Sequence, residues 1–231
     1  MGLAPLRSSP METSLWDRSA DELLTRTASA DPTPGGGSVA ALTGALGTGL
    51  VLMALAVTAR RRDLEDAQRS RLADLAARGE ALLTRVRAGA DQDVADFEAL
   101  MAAYGRPRDD DEQRAARSAA IRTATVAATR SPLGLAEALA DVVDLAAQAE
   151  GAVHAGIRSD ALAGGDVARG AAWAAIRTAD VNLAALERAG ADETTELVTR
   201  RDAVRRRLET PGTHDPHQQQ HQDQRKQGDP A

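Results

Sequence analysis

Three clusters of residues in this 231-residue sequence have the types and spacing to do chemistry. The first is Pro34-Gly35-Gly36-Gly37-Ser38, which opens a long apolar run. Its glycines leave backbone amides unscreened, and a helix starting there adds partial positive charge, which suits an anion, a carbonyl oxygen or a developing oxyanion. A flexible turn with Ser38 as N-cap explains the pattern equally well. The absence of Gly-Lys-Ser/Thr excludes a Walker loop.

The second cluster surrounds Asp93, which falls on the apolar face of a predicted helix. That face follows three- and four-residue steps through Leu72, Leu75, Gly79, Leu82, Val86, Ala90, Asp93, Phe97, Leu100 and Tyr104. A carboxylate on such a face is costly to bury unpaired, which makes it a candidate general acid or base. A buried salt bridge to an arginine, or a rotated stripe that exposes Asp93, are the alternatives. Asp91 points to another side of the helix, and Asp96 is expected in solvent.

The third cluster is His154 with Arg158, Ser159 and Asp160, near a predicted junction between helices. His154 and Arg158 share a face if that stretch is helical. Ser159 or Asp160 serving as the cap of the next helix is the favoured interpretation. Nothing in the sequence fixes the geometry of a Ser-His-Asp triad, so none is predicted.

Helices must position these clusters, because Val, Ile and Thr never form the alternating runs typical of strands. Hydrophobic residues make up 43% and aromatics 2%, so Ala, Leu and Val must build the core. Ser131-Pro132 predicts an N-cap with proline in the first turn. The predicted helices cover residues 19–30, 38–59, 63–104, 109–130, 131–153, 159–186 and 192–208. We expect an all-α antiparallel bundle of long helices, completed by homodimerisation.

Composition excludes several classes of protein. The absence of cysteine excludes disulfides, thiolate metal sites and a Cys nucleophile. No basic face interleaved with aromatics accompanies the formal charge of −6, so no nucleic-acid partner is predicted. The uncharged run 38–59 is long enough to weigh as a membrane span, but its Gly and Thr content favours a helix buried on all sides. We predict no membrane partner and a cytoplasmic location, since no signal peptide is recognisable.

The chain divides into one helical domain over residues 14–209, a disordered leader over 1–13 and a disordered His/Gln-rich tail over 210–231. The tail contains His214, His217 and His221, but no ordered residues surround them. No metal site is therefore predicted.

The order of the motifs resembles the formiminotetrahydrofolate cyclodeaminase/methenyltetrahydrofolate cyclohydrolase family. The resemblance spans roughly residues 14–186. It rests on Asp31-Pro32-Thr33-Pro34-Gly35-Gly36-Gly37-Ser38-Val39-Ala40-Ala41, Asp91-Gln92-Asp93 with Phe97, Pro107, Ser131-Pro132-Leu133, Arg158-Ser159-Asp160 and Val181-Asn182-Leu183.

This resemblance implies an all-α homodimer that binds tetrahydrofolate as the carrier of a one-carbon substrate, without a metal. Cyclodeaminases convert 5-formiminotetrahydrofolate to 5,10-methenyltetrahydrofolate and ammonia, and cyclohydrolases interconvert 5,10-methenyl- and 10-formyltetrahydrofolate. Our hypothesis gives Asp93 the proton transfer, with Asp91 and His154 as further catalytic candidates. The implied folate-binding residues are Pro34, Gly35, Gly36, Gly37, Ser38, Arg158, Ser159 and Asp160. Residues 60–62, three arginines, either attract the glutamate tail or stabilise a helix C-terminus.

Two positions depart from the family pattern. His154 stands where the family often has Asn, four residues before Arg158, and Thr178 stands where it often has Asn, four before Asn182. If those amides contact the pterin or the one-carbon unit, activity is altered or lost. The alternative function is therefore a non-catalytic folate-binding protein or dimeric helical scaffold of the same fold.

Overall fold

The computed structural model describes residues 14–209, and this part of the chain contains six α-helices, two short 3-10 turns and no strand. The helices are α1 (Ala20–Thr27), α2 (Gly36–Ala59), α3 (Asp66–Tyr104), α4 (Asp111–Glu150), α5 (Arg158–Arg188) and α6 (Thr194–Glu209). The 3-10 turns are Leu15–Asp17 and Ala155–Ile157. The all-α prediction is confirmed. The segments predicted to be disordered lie outside the described residues, so that prediction stays untested.

Helices α2 to α5 form an antiparallel four-helix bundle in which each helix reverses the direction of the one before. The start of α2 lies against the second half of α3, as the close approach of Gly37 to Asp93 shows. The end of α2 lies near the start of α5, where the backbone N–H of His154 donates to Thr58. The fully buried core at the bundle centre includes Val51, Leu139, Val142, Leu145 and Ile176.

Helices α2 and α5 touch backbone to backbone. A Cβ built on Gly164 would lie 2.5 Å from the carbonyl oxygen of Gly47, and one built on Gly47 would lie 2.8 Å from the carbonyl oxygen of Gly164. Only glycine at both positions allows this approach. The small residues of α2 therefore serve close helix packing.

One face of α2 remains uncovered in the single chain, which corrects the expectation of a helix buried on all sides. Leu46, Met53 and Val57 are 71%, 37% and 44% exposed. By length and composition alone α2 could cross a membrane, but half of its most apolar 18-residue stretch is buried inside the bundle. The exposed side of α2 is thus an uncharged stripe running the length of the helix.

Helix α4 is continuous over 40 residues, whereas the sequence predicted a break at Ser131-Pro132. Proline has no N–H to donate, so the carbonyl of Ala128, four residues earlier, loses its normal helical partner. The side-chain Nδ2 of Asn182 on α5 donates to that carbonyl at 2.7 Å. A residue far away in sequence therefore makes Pro132 tolerable inside the helix.

A shorter helix lies at each end of the described chain, before and after the four-helix bundle. Helix α1 begins with the predicted capping box, in which Ser19 and Glu22 bond each other's backbone N–H groups. Helix α6 docks through ion pairs, among them Arg200 to Glu137 at 2.9 Å and Arg201 to Asp180 at 3.0 Å.

Candidate active site

A cleft of about 570 Å³ opens at the end of the bundle where α2 begins. Its walls come from the loop before α2 and from α3, α4 and α5. The lining residues are Pro32, Thr33, Gly35, Gly36, Gly37, Asp93, Asp96, Phe97, Leu100, Ala128, Ala174, Arg177, Thr178, Val181 and Asn182. A largely apolar cleft with a few convergent polar groups is typical of a small-molecule site.

Asp93 is the carboxylate that α3 brings into this cleft. Its Oδ2 accepts two hydrogen bonds from Ser38, one from the backbone N–H and one from the hydroxyl, both at 2.8 Å. A Cβ on Gly37 would lie 2.0 Å from Asp93 Oδ1, so only glycine admits the carboxylate here. The structure thus brings together Asp93 and the glycine loop, as predicted.

The glycine loop binds an anion, and that anion is the protein's own carboxylate. Gly35 is the N-cap of α2, and Ser38 lies inside the first turn. The positive end of the α2 dipole is therefore directed at Asp93, and so is one of the first-turn N–H groups that have no partner within the helix. Gly35, Gly36 and Gly37 also line the cleft, while Pro34 is buried and lines a neighbouring pocket instead.

Ser38 has a different role from the one predicted. It does not cap α2, and its side chain is fully buried instead of facing the cleft. Its Oγ lies 2.8 Å from Asp93 Oδ2 and 3.0 Å from the carbonyl oxygen of Ala90. A hydroxyl has one proton, so it donates to one of these acceptors at a time. Ser38 positions Asp93 and is not placed to contact a ligand.

Asp91 lies outside the cleft that holds Asp93. Its Oδ2 accepts from the Ser14 hydroxyl at 2.6 Å and its Oδ1 accepts from the Leu15 N–H at 2.8 Å. Asp91 therefore anchors the segment before α1, and this placement gives no support to the predicted catalytic role.

His154, Arg158, Ser159 and Asp160 lie at the opposite end of the bundle. His154 caps the second 3-10 turn, since its Nδ1 accepts from the Gly156 N–H at 3.1 Å. Its contact Thr58 follows Ser38 by twenty residues of helix, which is about 30 Å at 1.5 Å per residue. A single chain does not bring this cluster to Asp93. The three arginines of residues 60–62 also follow the far end of α2.

Sequence reasoning missed two polar side chains of the cleft. Asp96 was expected in solvent but is only 9% exposed. Its Oδ1 accepts from Gln92 Nε2 at 2.9 Å, and its buried Oδ2 has no hydrogen-bond partner among the described residues. Asn182 was noticed only as part of a motif. The signal that could have identified Asp96 is its position one turn after Asp93. That spacing places both carboxylates on the same side of the helix.

With this geometry in place, comparison with known proteins identifies the family. A family model described as formiminotransferase-cyclodeaminase matches residues 19–199. The chain belongs to this family.

Individual relatives of the chain agree with that assignment. The methenyltetrahydrofolate cyclohydrolase of Methylorubrum extorquens is 35% identical over 156 residues, which cover 68% of this chain and 73% of that protein. The formimidoyltransferase-cyclodeaminase of Sus scrofa is 38% identical over 111 residues, 47% of this chain but only 20% of that longer protein. These relatives support a role in folate one-carbon metabolism.

A solved structure shows the same fold. The formiminotetrahydrofolate cyclodeaminase of Thermotoga maritima superimposes with a TM-score of 0.64 at 19% identity. The match covers 84% of this chain and 94% of the Thermotoga chain.

Proposed function

We propose that this chain is a methenyltetrahydrofolate cyclohydrolase, in which Asp93 transfers the proton. The observation that carries this proposal is the Asp93 carboxylate, which lines the cleft while both hydrogen bonds from Ser38 fall on its Oδ2. Its Oδ1 accepts no hydrogen bond from residues 14–209 and is left for a ligand or a water molecule. A carboxylate fixed in this way is preorganised to act as a general base or acid.

The proposed hydrolysis uses one water molecule and no other co-reactant. The water oxygen bonds to the methenyl carbon between N5 and N10 while Asp93 accepts a proton from the water. The bond from that carbon to N5 then breaks as Asp93 gives its proton to N5, and the hydroxyl on the carbon loses its proton to solvent to form the formyl C=O. The products are 10-formyltetrahydrofolate and one released proton, so atoms and charge balance. Asp93 returns to the carboxylate state and can repeat the cycle.

The same carboxylate can serve the second reaction of the family. In the cyclodeaminase reaction N10 bonds to the formimino carbon. An acid then protonates the formimino nitrogen, which departs as ammonia. We place hydrolysis first because the Methylorubrum relative, of which the alignment covers 73%, is named as a cyclohydrolase. The cyclodeaminase from pig favours deamination as the second candidate, with a higher identity over a shorter stretch.

The cleft suits a bound folate. Phe97, Leu100 and Val181 provide apolar surface for a flat ring system, and Asp96 and Asn182 provide polar groups among them. Thr178, the departure from the family pattern, lies beside Gly36, where its Oγ1 would be 3.4 Å from an added Cβ. The hydroxyl of Thr178 is therefore in a position to replace an amide in contacting the ligand.

We propose further that the protein works as a homodimer through the uncharged stripe of α2. Leu46 is 71% exposed on that stripe, and burying such side chains is the usual driving force for association. If two copies pair their α2 helices antiparallel, the partner's His154 and the partner's Asp160 approach the cleft that holds Asp93. A second copy can thus unite the motifs that one chain keeps apart.

The test of this dimer is the mass in solution of a Leu46→Arg variant. We expect a dimer for the wild type, a monomer for Leu46→Arg and a large loss of activity with the dimer. Leu24→Arg is the matched control, since Leu24 is 68% exposed but belongs to α1 and not to α2. A Leu46→Arg variant that stays dimeric would contradict the assignment of the interface.

The test of the activity follows the methenyltetrahydrofolate chromophore with the purified chain. Accelerated loss of absorbance from 5,10-methenyltetrahydrofolate, above the spontaneous rate, is the expected result. Appearance of the chromophore from 5-formiminotetrahydrofolate instead would establish the cyclodeaminase reaction. Tight folate binding with neither reaction would overturn the proposal in favour of the non-catalytic alternative.

A further inference from the structure

A second pocket of about 310 Å³ lies beside the cleft, between α3 and the segment that precedes and includes α1. Arg18, Arg26 and Glu98 line it, together with Asp91. Thr33 lines both this pocket and the cleft, so the two adjoin at the glycine loop.

The segment that forms one wall of the pocket is fastened to α3. Asp91 accepts hydrogen bonds from Ser14 and Leu15, as described above. The indole Nε1 of Trp16 donates to the carbonyl of Arg87 at 3.0 Å, and the Arg87 guanidinium stacks 4.9 Å from the centre of the Trp16 ring. These contacts hold the backbone just before Arg18, so that arginine is held at the pocket.

Both arginines line the pocket, and each has a side-chain donor without a partner. The Nε atoms of Arg18 and Arg26 are buried and have no hydrogen-bond partner in the described residues. Both arginines lie near Glu22: hydrogen bonds from Ser19 lower the pKa of Glu22, and the charges of Arg18 and Arg26 lower it further. Burying an unpaired N–H of a charged group is costly, and an acceptor that draws the guanidinium into the pocket removes that cost.

The attraction of this pocket for an anion rests on these donors and not on net charge. The two arginines face three carboxylates, Asp91 and Glu98 in the lining of the pocket and Glu22 beside them. Each acid is already engaged: Asp91 by Ser14 and Leu15, Glu22 by Ser19, and Glu98 by another contact within the protein. A guanidinium presents several N–H donors, and a pair of them matches a carboxylate in the bidentate geometry of a charge-assisted pair.

We propose that the pocket binds a carboxylate of the glutamate portion of folate, while the pterin and the one-carbon unit occupy the cleft. This inference rests on the proposed folate function and adds a subsite to it. It assigns the tail to Arg18 and Arg26 at the near end of the bundle. The arginines of residues 60–62, which the sequence suggested for this role, follow the far end of α2.

The test compares two stable probes that differ only in the tail, 5-formyltetrahydrofolate and 5-formyltetrahydropteroate. Dissociation constants are measured by calorimetry on the full chain, so the result does not depend on turnover. We expect the wild type to bind the folate at least tenfold more tightly than the pteroate. Arg18→Gln and Arg26→Gln should each remove about tenfold of the folate affinity and leave the pteroate affinity unchanged. Arg71→Gln is the control, since Arg71 is exposed on α3 twenty residues before Asp91.

Each contrary outcome has a distinct meaning. Equal wild-type affinity for the two probes would overturn the tail subsite while leaving folate binding intact. Equal weakening of both probes by Arg18→Gln would show that this arginine only supports the fold. Competition by inorganic phosphate without any preference for the folate would mean a pocket for free anions, and would also overturn the proposal. Wild-type protein that binds neither probe would remove the folate function itself.

Discussion

Substitution of Gly37 by alanine should remove activity without unfolding the protein. The new Cβ would lie 2.0 Å from Asp93 Oδ1 and 2.6 Å from its Cγ. Since ordinary contact begins near 3.4 Å, the carboxylate must retreat by more than an ångström and so leave its two hydrogen bonds from Ser38. A misplacement of this size at a catalytic group costs about 100-fold in rate.

The effect on stability follows from the same two hydrogen bonds. Losing two hydrogen bonds to a charged group costs about 3–6 kcal/mol, while alanine gains about 1 kcal/mol over glycine inside a helix. We therefore expect Gly37→Ala to lose about 2–5 kcal/mol of unfolding free energy.

The assay combines steady-state turnover of 5,10-methenyltetrahydrofolate with urea unfolding of the same preparation. Gly170→Ala on α5 is the matched control, because a Cβ there meets nothing within 4 Å. It should retain full activity and gain about 0.5–1 kcal/mol of stability. Wild-type turnover by Gly37→Ala would refute the idea that the glycine exists to admit Asp93.

Three further predictions concern the contacts around the site and the docking of α6. Ser38→Ala should lower kcat about tenfold with little change in KM, because the Ser38 hydroxyl positions Asp93 and does not contact the ligand. Asn182→Ala should cost about 1–3 kcal/mol of unfolding free energy, because it leaves the carbonyl of Ala128 unpaired. In a Pro132→Ala background, which restores a helical N–H for that carbonyl, urea unfolding should show a smaller cost. An unchanged cost would contradict the pairing. A hydrogen bond from Arg122 holds the pKa of Glu193 below its ordinary 4.5, so this pair should stabilise the protein above that pH and lose its effect as the pH falls through the lowered pKa; Arg122→Gln should flatten that part of the stability-pH curve.

The architecture was largely predictable from local patterns. The capping box at Ser19 and the apolar stripe from Leu72 to Ala90 each depend on residues within a few turns, and both are present in the structure. The error at Pro132 has a non-local cause. Its missing N–H is offset by Asn182, which follows fifty residues later and meets it only in the folded bundle.

The candidate site was predictable in part for the same reason. Asp93 stood out because it interrupts an apolar stripe, and the glycine loop stood out by composition. That Asp93 and the loop bind each other depends on how α2 packs against α3, which no spacing reveals. The separate positions of Asp91 and His154 likewise follow from helix packing. Asp91 lines a different pocket from Asp93, and His154 lies at the other end of the long bundle.

The most direct test of the central claim is the turnover of Asp93→Asn against that of the wild type, followed through the methenyltetrahydrofolate chromophore. Asparagine keeps the shape of the side chain but can no longer exchange a proton, so we expect a loss of about 100- to 10,000-fold in kcat. Asp91→Asn, measured beside it, should retain most of the activity, because Asp91 binds Ser14 and Leu15 instead of lining the cleft. Wild-type turnover by a folded Asp93→Asn variant would contradict the claim that this carboxylate transfers the proton.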